Sequence, residues 1–145
     1  MSDTIVLWQM RPLWGLPNPS PFCMKVETWL RMAGLPYQAR PIEGSPQSLS
    51  GKVPYIDRPD GSVLWDSSVI IDTLSRERGV DLDRGLSPTD RAIGTLLQRT
   101  FEEDLYFVVL YERWVDDANW PRISRDYVPR FLALIRIAEE DEPTC

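Results

Sequence analysis

The sequence contains no histidine and only two cysteines, Cys23 and Cys145. Without histidine, a Ser-His or Cys-His catalytic pair is excluded and the commonest general base is missing. A zinc site is also disfavoured, so we predict no metal centre. Two cysteines this far apart do not form a disulfide framework, which indicates a reducing compartment. We therefore expect a cytoplasmic protein.

Basic residues are in the minority, with 16 Lys and Arg against 22 Asp and Glu and a net charge of −6. Nucleic acids and anionic membranes bind basic surfaces, so neither is an expected partner. No apolar run approaches the roughly 18 residues of a membrane span, and the first residues lack the pattern of a signal peptide. With hydrophobic residues at 43% and charged residues at 26%, the composition predicts a folded globular protein.

Residues 1–80 have the pattern of an α/β domain with the element order β-α-β-α-β-β-α. Ser20 followed by Pro21 predicts the start of the first helix, because serine caps helices and proline fits their first turn. An Asp-Gly pair at 60–61 joins the last two strands as a hairpin, so the four-stranded sheet is predicted to be mixed. The predicted strands lie at 4–9, 37–42, 53–57 and 62–65, the helices at 21–34 and 66–79, with at most one helical turn within 43–52.

Residues 81–145 are predicted to form an all-helical unit. The motif SPTD at 87–90 marks a helix start, since it supplies an N-cap, a proline and an acid in the first turn. If unbroken to residue 116, this helix has about 29 residues and a length of ~44 Å. A break at 119–121 follows, and then a last helix at 126–140.

The motif SPFC at 20–23 lies at a loop-to-helix junction, where unpaired N–H groups and the helix dipole favour a thiolate or an oxyanion. Ser20 and Cys23 are therefore candidate catalytic residues, either as a nucleophile or as a hydroxyl that donates to a thiolate. The alternative is that Ser20 only caps the helix and Cys23 only fills the core. The residues by themselves leave both interpretations open.

Two further junctions carry candidate binding residues. In KVPY at 52–55, a proline that opens a strand leaves a backbone position available to a ligand, and an ordinary turn proline is the alternative. In WDSS at 65–68, Ser67 and the amide behind it can hold a carboxylate, while Asp66 can hold an ammonium group. That pairing suits an α-amino acid, and a simple capping pair is the alternative. All three junctions lie at the same end of the predicted sheet.

In combination, these motifs resemble the glutathione S-transferase superfamily. SPFCMKVETWLRMAGLPYQ at 20–38 resembles its first helix, KVPY at 52–55 its cis-proline segment, and WDSSVIIDTLSRER at 65–78 its γ-glutamyl-binding turn. With RTFEEDLYFVVLYERW at 99–114, the chain looks most like the failed-axon-connections and metaxin-related branch. The resemblance covers about residues 5–120 and implies a thioredoxin-like domain at 1–80 and a partial helical domain at 81–145.

The resemblance also implies a glutathione site, with glutathione serving as a substrate. Pro54 would be the cis-proline, and the backbone of Val53 would pair with the cysteinyl part of glutathione. Asp66 and Ser67 would hold the γ-glutamyl end, and Lys52 would lie near the glycyl carboxylate. These five residues are the candidate glutathione-binding set.

Ser20 occupies the position at which redox-active relatives carry their nucleophilic cysteine, and Cys23 occupies the second cysteine position of that motif. In serine-type transferases a hydroxyl near this point lowers the pKa of the glutathione thiol, so the resemblance implies this role for Ser20. The replacement of the redox cysteine disfavours disulfide oxidoreductase activity. Three hypotheses remain: a glutathione transferase, a non-catalytic metaxin-like interaction module, and a redox protein that uses Cys23 alone.

The helical unit is shorter than the family pattern, because the ~58 residues after Ser87 supply fewer helices than the family's second domain has. We expect a truncated, frame-altered or relic product. The alternative is a minimal form that buries its apolar helix face by forming a homodimer. The pocket for the electrophile is built largely from the missing helices, so the sequence does not identify the electrophile.

Overall fold

The computed structural model describes residues 4–43 and 46–129. It divides into two units, Met1–Leu82 and Asp83–Cys145. The division falls two residues after the predicted boundary at residue 80.

The first unit contains a four-stranded sheet in which the strand order is β2-β1-β3-β4. The central strand β1 pairs in parallel with β2 and antiparallel with β3, and β3 pairs antiparallel with β4. This mixed sheet confirms the predicted thioredoxin-like fold class. The strands are β1 Ile5–Gln9, β2 Tyr37–Pro41, β3 Tyr55–Asp57 and β4 Val63–Trp65.

Two helices, α1 (Pro21–Met32) and α2 (Ser67–Arg78), complete the first unit and begin and end where the capping signals predict. Ser20 is the N-cap of α1, and Gly79 ends α2 in the left-handed conformation that glycine adopts without strain. Both helices contribute buried side chains to one apolar cluster with the sheet. That cluster comprises Ile5, Leu7, Val26, Leu30, Ile56, Ile70 and Leu74.

The described residues between β2 and β3 form turns and no helix, where at most one helical turn was predicted. The hydroxyl of Ser48, a buried side chain, accepts from the backbone N–H of Lys52 at 3.0 Å and donates to its carbonyl at 2.6 Å. Serine hydroxyls compete with helical backbone hydrogen bonds in this way. These two bonds hold the turn at 48–52, which precedes β3 by two residues.

The second unit begins with α3 (Pro88–Arg99), which opens with a capping box formed by Ser87 and Asp90. A π-helical turn at Thr100–Asp104 separates α3 from α4 (Leu105–Trp114). The unbroken helix predicted from 88 to 116 therefore contains a local change in hydrogen bonding, which its residue pattern does not reveal. A short helix, α5 (Trp120–Asp126), begins at the predicted break. The predicted last helix at 126–140 lies mostly outside the described residues.

The two longer helices of the second unit expose many apolar side chains. Leu96 of α3 is 68% exposed and Phe101, in the π-helical turn between the two helices, is 61% exposed, whereas Ile123 of α5 is only 6% exposed. Further exposed apolar residues on these helices are Ile93, Leu97, Leu105, Phe107, Val108 and Tyr111. Over residues 4–43 and 46–129, no helix combines the length and the apolar character needed to cross a bilayer.

The core position of Leu30 gives a test of the first unit. Leu30 has no exposed surface, so Leu30→Ala should lower the free energy of unfolding by about 2–5 kcal/mol, because the cavity adds to the lost transfer free energy. Urea denaturation followed by far-ultraviolet circular dichroism measures the change. Met32→Ala, on the same helix at a side chain that is 67% exposed, is the control and should change stability by less than about 0.5 kcal/mol. Equal effects of the two substitutions would contradict the assigned core.

Candidate functional site

The strand register brings three chain segments together at one end of the strands. This row of strand ends is called the edge below. Trp8 of β1 pairs with Tyr55 of β3, and Tyr55 pairs with Trp65 of β4. The rings of Trp8 and Tyr55 also stack, with 6.0 Å between their centroids. The end of β1, the start of β3 and the end of β4 therefore lie side by side. The three motifs that the sequence singled out follow or precede these strand ends.

The loop before α1 is fixed by Asn18, whose side chain is fully buried. Its Nδ2 donates to the carbonyl of Met10 at 2.8 Å, and its Oδ1 accepts from the backbone N–H of Ser20 at 2.9 Å. Asparagine forms such turns with the backbone two residues ahead. Asn18 thus holds Ser20 at the start of α1 and close to the end of β1.

The Ser20 hydroxyl lies at the N-terminus of α1. Its Oγ accepts from the backbone N–H of Cys23 at 3.4 Å, a long hydrogen bond that satisfies one of the unpaired amides of the first turn. The same hydroxyl lies within hydrogen-bond reach of the Cys23 thiol. A protonated thiol is a weak acceptor. A thiolate brought to this point would be a stronger acceptor for the Ser20 proton.

The Cys23 side chain has no exposed surface and packs in the interior next to the α1 core residues. Burial raises the pKa of the Cys23 thiol to about 11. Hydrogen bonds from Ser20 and from the Met10 backbone lower this pKa, but by less than burial raises it, and the nearby Glu27 carboxylate also raises it. The thiol is therefore protonated at neutral pH. This geometry favours the packing interpretation of Cys23 over the nucleophilic one.

The segment before β3 contains a cis peptide bond between Val53 and Pro54, as the family resemblance implied. Pro54 is buried, Val53 is half-buried and Lys52 is exposed. The hydrogen bonds of Ser48 to the Lys52 backbone hold this segment in place. The arrangement leaves the Lys52 side chain in solvent beside the edge where the three segments meet.

The start of α2 is built around Asp66, which has the unusual positive φ of 71° and caps the helix. Its Oδ1 accepts from the backbone N–H groups of Ser68 at 2.9 Å and Val69 at 3.2 Å. A non-glycine residue at positive φ is strained, and such residues cluster at functional sites. Ser67, the first residue of α2, is 5% exposed. Asp66 itself is exposed, so the carboxylate remains accessible to a ligand.

A direct contact joins the N-terminal parts of the two helices. The Lys25 ammonium donates to the Ser68 hydroxyl at 2.9 Å. Lys25 lies on α1 and Ser68 is the second residue of α2. The part of α1 that directly follows SPFC thus contacts the WDSS motif, although 43 positions separate these two side chains.

A polar network stands behind this edge and ties α1 to β1 and β2. The Glu27 carboxylate accepts from Gln9 Nε2 at 2.9 Å, from the Tyr37 hydroxyl at 3.0 Å and from Arg31 at 3.0 Å. Burial alone would raise the pKa of the Glu27 carboxyl, but these three donors hold it below its usual value. The network holds α1 against the end of β1, which lies at the candidate site.

Sequence reasoning missed several of the residues that shape this edge. Asn18 had a usable signal, since asparagine two residues before a helix cap is typical of a side-chain turn. Ser48, Lys25 and Glu27 carried no comparable local signal, because their contacts depend on the tertiary fold. The motif residues Ser20, Val53, Pro54, Asp66 and Ser67 all lie at the predicted edge.

The buried thiol leads to a prediction about chemical reactivity. In a Cys145→Ser variant, which leaves Cys23 as the single thiol, alkylation by iodoacetamide should be slow at pH 7 and should accelerate only as the pH approaches 11, because the thiolate is the reactive form. Mass spectrometry over a pH series measures the rates. The same variant unfolded in urea is the control, and should titrate near the ordinary value for cysteine. A low apparent pKa in the folded protein would restore a nucleophilic role for Cys23.

The same shift has a consequence for stability. Because the Cys23 thiol ionises at higher pH when folded than when unfolded, the stability it contributes is complete below the unfolded pKa of 9.0 and is lost as the pH rises toward 11. Cys23→Ala should therefore weaken the alkaline destabilisation measured by thermal melts between these pH values.

Comparisons with known proteins agree on one family. The family model for the glutathione S-transferase N-terminal domain matches residues 21–119. The isoprene-epoxide–glutathione S-transferase of a Rhodococcus species is 33% identical over 129 residues, covering 86% of this chain and 52% of that protein. Failed axon connections from Drosophila melanogaster is 35% identical over 111 residues, covering 77% of this chain and 26% of the relative. Metaxin-1 from Mus musculus is 29% identical over 114 residues, with coverages of 79% and 36%.

Solved structures agree on the fold. A glutathione S-transferase from Rhodospirillum rubrum superposes with a TM-score of 0.57 at 20% identity, covering 94% of this chain and 57% of that one. A glutathione transferase homologue from Sulfitobacter, crystallised with bound glutathione, gives 0.54 at 17% identity, with coverages of 91% and 66%. The chain spans about half the length of the first of the curated relatives, and less of the others. From its matched family model, the chain belongs to the glutathione S-transferase N-terminal domain family.

Proposed function

We propose that this protein binds glutathione at the sheet edge described above, and that Ser20 stabilises the glutathione thiolate for attack on an electrophile. The observation that carries the proposal is the meeting of three segments at this edge: the N-terminus of α1, the cis Val53–Pro54 peptide and the N-terminus of α2. Family membership supports it, and related structures hold glutathione.

In this proposal each part of glutathione has its own partner. The backbone of Val53 pairs with the cysteinyl unit, and Asp66 and Ser67 hold the γ-glutamyl end. Lys52, exposed beside the same edge, attracts the glycyl carboxylate. Cysteinyl placement by Val53 directs the thiol toward the N-terminus of α1, where Ser20 lies.

The chemistry asked of Ser20 is hydrogen-bond donation to a developing negative charge. A bond from a neutral donor to a charged acceptor is about twice as strong as a neutral one. The partial positive charge at the N-terminus of α1 acts in the same direction. Both effects lower the pKa of a bound thiol, and the resulting thiolate forms the new carbon–sulfur bond while the electrophile's leaving atom takes the electron pair.

Small epoxides are the class of electrophile that we propose to test first. The Rhodococcus relative is named for isoprene epoxide and is 33% identical over 86% of this chain. An epoxide opens when a thiolate attacks carbon, and its oxygen leaves as an alkoxide that takes up a proton. No separate leaving group is released. A small epoxide also needs few contacts with a second-domain pocket, so it is a suitable first substrate for a transfer assay.

A non-catalytic role is the second candidate, and specific observations favour it too. Failed axon connections and metaxin-1 match 77% and 79% of the chain. The long helices of the second unit expose many apolar side chains, as a surface that contacts another protein would. In this case the glutathione site would bind without turnover or would be a relic.

The first test is binding. A two-dimensional amide NMR spectrum titrated with glutathione should show dispersed peaks, with shifts concentrated at residues 20–23, at Val53 and at 66–68. S-methyl glutathione is the matched control, because it keeps both ends of the peptide and removes the ionisable thiol. Dispersed peaks that do not respond to either ligand would overturn the binding proposal and favour an interaction module.

The second test concerns the thiolate. In the wild type, the thiolate absorbance near 240 nm of bound glutathione should appear at lower pH than in free glutathione. Ser20→Ala should raise that bound pKa and lower the epoxide kcat/KM by about tenfold to a hundredfold, the size of one hydrogen bond to a charged group. Ser20→Thr keeps the hydroxyl and the helix cap, so it should retain most of the effect.

Two outcomes would redirect the proposal. Unchanged turnover in Ser20→Ala would remove the role given to this hydroxyl while leaving the binding site intact. Tight glutathione binding without turnover of any epoxide, in a chain with a dispersed spectrum, would favour the non-catalytic candidate.

A further inference from the structure

We infer that Asn18 is a positioning residue for the proposed transfer, because its buried side chain holds Ser20 where the hydroxyl meets the sulfur of bound glutathione. The inference rests on the proposed function and extends it to a residue behind the site. The observation is a pair of hydrogen bonds: Asn18 Nδ2 donates to the carbonyl of Met10 at 2.8 Å, and Asn18 Oδ1 accepts from the Ser20 N–H at 2.9 Å. Asn18 has no exposed surface, so it acts through Ser20 and not by touching the ligand.

The loop between β1 and α1 folds back on itself in its middle. Leu13 and Leu16 exchange two backbone hydrogen bonds, at 3.3 and 2.9 Å. Trp14 and Gly15 between them have the positive φ values of 54° and 75°, as in the two-residue turns that join paired strands. This turn fixes the middle of the loop, and the side chain of Asn18 joins its two ends.

The helix cap by itself is a weaker restraint on Ser20. The bond from the Cys23 N–H to Ser20 Oγ is 3.4 Å long, at the upper limit for such a bond, whereas both Asn18 bonds have ordinary lengths. The Asn18 bonds are also shielded from water, and hydrogen bonds in a low-dielectric interior are stronger than exposed ones. Asn18 therefore sets the position of the Ser20 backbone more firmly than the cap does.

A second attachment ties the same loop end to α1. The backbone of Met10, whose carbonyl accepts from Asn18, also forms a hydrogen bond with the Cys23 thiol in the first turn of the helix. Loss of the Asn18 side chain releases the link between Met10 and Ser20. The turn before β3 and the start of α2 keep their own hydrogen bonds.

The position of the hydroxyl matters because donation to a thiolate depends on distance. A displacement of about 1 Å in a group that aligns the reactants can lower a rate by about a hundredfold. The alternative is that Asn18 only completes the fold of the loop. The two roles differ in their dependence on Ser20: a positioning role disappears when the Ser20 hydroxyl is absent, whereas a purely structural role does not.

The first measurement needs no ligand. Amide hydrogen exchange at Ser20 should be about tenfold faster in N18A than in wild type, the size of one hydrogen bond. The amide of Ile42, which donates to the carbonyl of Gln9 at 2.9 Å at the same strand end, is the control and should keep its rate. Unchanged exchange at Ser20 in N18A would overturn the inference, whether or not the protein binds glutathione.

The second measurement is a double-mutant cycle of wild type, N18A, S20A and N18A/S20A. N18A should raise the pH at which the thiolate of bound glutathione absorbs, and should lower the epoxide kcat/KM by about tenfold. In the S20A background, N18A should change kcat/KM by less than about twofold. N18S should give an intermediate result, because a serine hydroxyl accepts from the backbone two residues ahead more weakly than asparagine does.

Two controls separate positioning from general damage to the fold. S-methyl glutathione has no ionisable thiol, so it should bind equally to N18A and wild type. L74A removes a core side chain of α2 that is 3% exposed, and should lower stability while the thiolate absorbance of bound glutathione keeps its pH dependence. If N18A loses its dispersed amide spectrum, N18S takes its place in both measurements.

The outcomes distinguish this inference from the proposed function. A full N18A effect in the S20A background would mean that Asn18 does not act through Ser20. Equal weakening of S-methyl glutathione and glutathione by N18A would make Asn18 a structural residue of the loop. Wild-type protein that does not lower the pKa of the glutathione thiol would overturn the proposed function and this inference together, and S20A would then match wild type.

Discussion

The pairing of β1 with β2 on one side and β3 on the other is the constraint on which the candidate site depends. The register that sets Trp8 beside Tyr55, and Tyr55 beside Trp65, aligns three strand ends at one edge. A slip of one residue would turn every side chain to the opposite face and move these ends apart. The buried residues Leu7 and Ile56 oppose such a slip, since both would leave the core. Hydrophobic burial thus fixes the position of a polar site that contributes little to the core itself.

Many polar groups at this edge form hydrogen bonds within the protein. Asn18 holds the loop before α1, Ser48 holds the turn before β3, and Asp66 caps α2. Each of these bonds joins residues of one loop or turn. Together they fix the backbone of the three segments. The proposed function uses the Ser20 hydroxyl, which lies at the N-cap of α1 beside these bonds.

The sequence predicted those parts of the fold that depend on local chemistry. Helix starts at Ser20, Asp66 and Ser87 and the strand pattern were all recognisable, because caps and alternating apolar residues act over a few positions. The turn at 48–52, in the segment where at most one helical turn was predicted, was not, since the bonds that hold it depend on the buried Ser48 hydroxyl. The π-helical turn and the Lys25–Ser68 bond were also missed. The bond joins side chains 43 positions apart, and no local pattern encodes such a contact.

Ser20 and Cys23 show that a helix N-terminus does not by itself activate a residue. Both belong to the first turn of α1 and both lie in the same electrostatic field. Ser20 is half-buried at the cap, facing the loop, whereas Cys23 faces the core with Val26 and Leu30. Desolvation at the second position outweighs the favourable hydrogen bonds, so the pKa of Cys23 rises to about 11. A thiolate can form at this helix only where water or a ligand reaches the cap. In the proposed function, the sulfur that accepts a hydrogen bond from Ser20 therefore belongs to bound glutathione and not to Cys23.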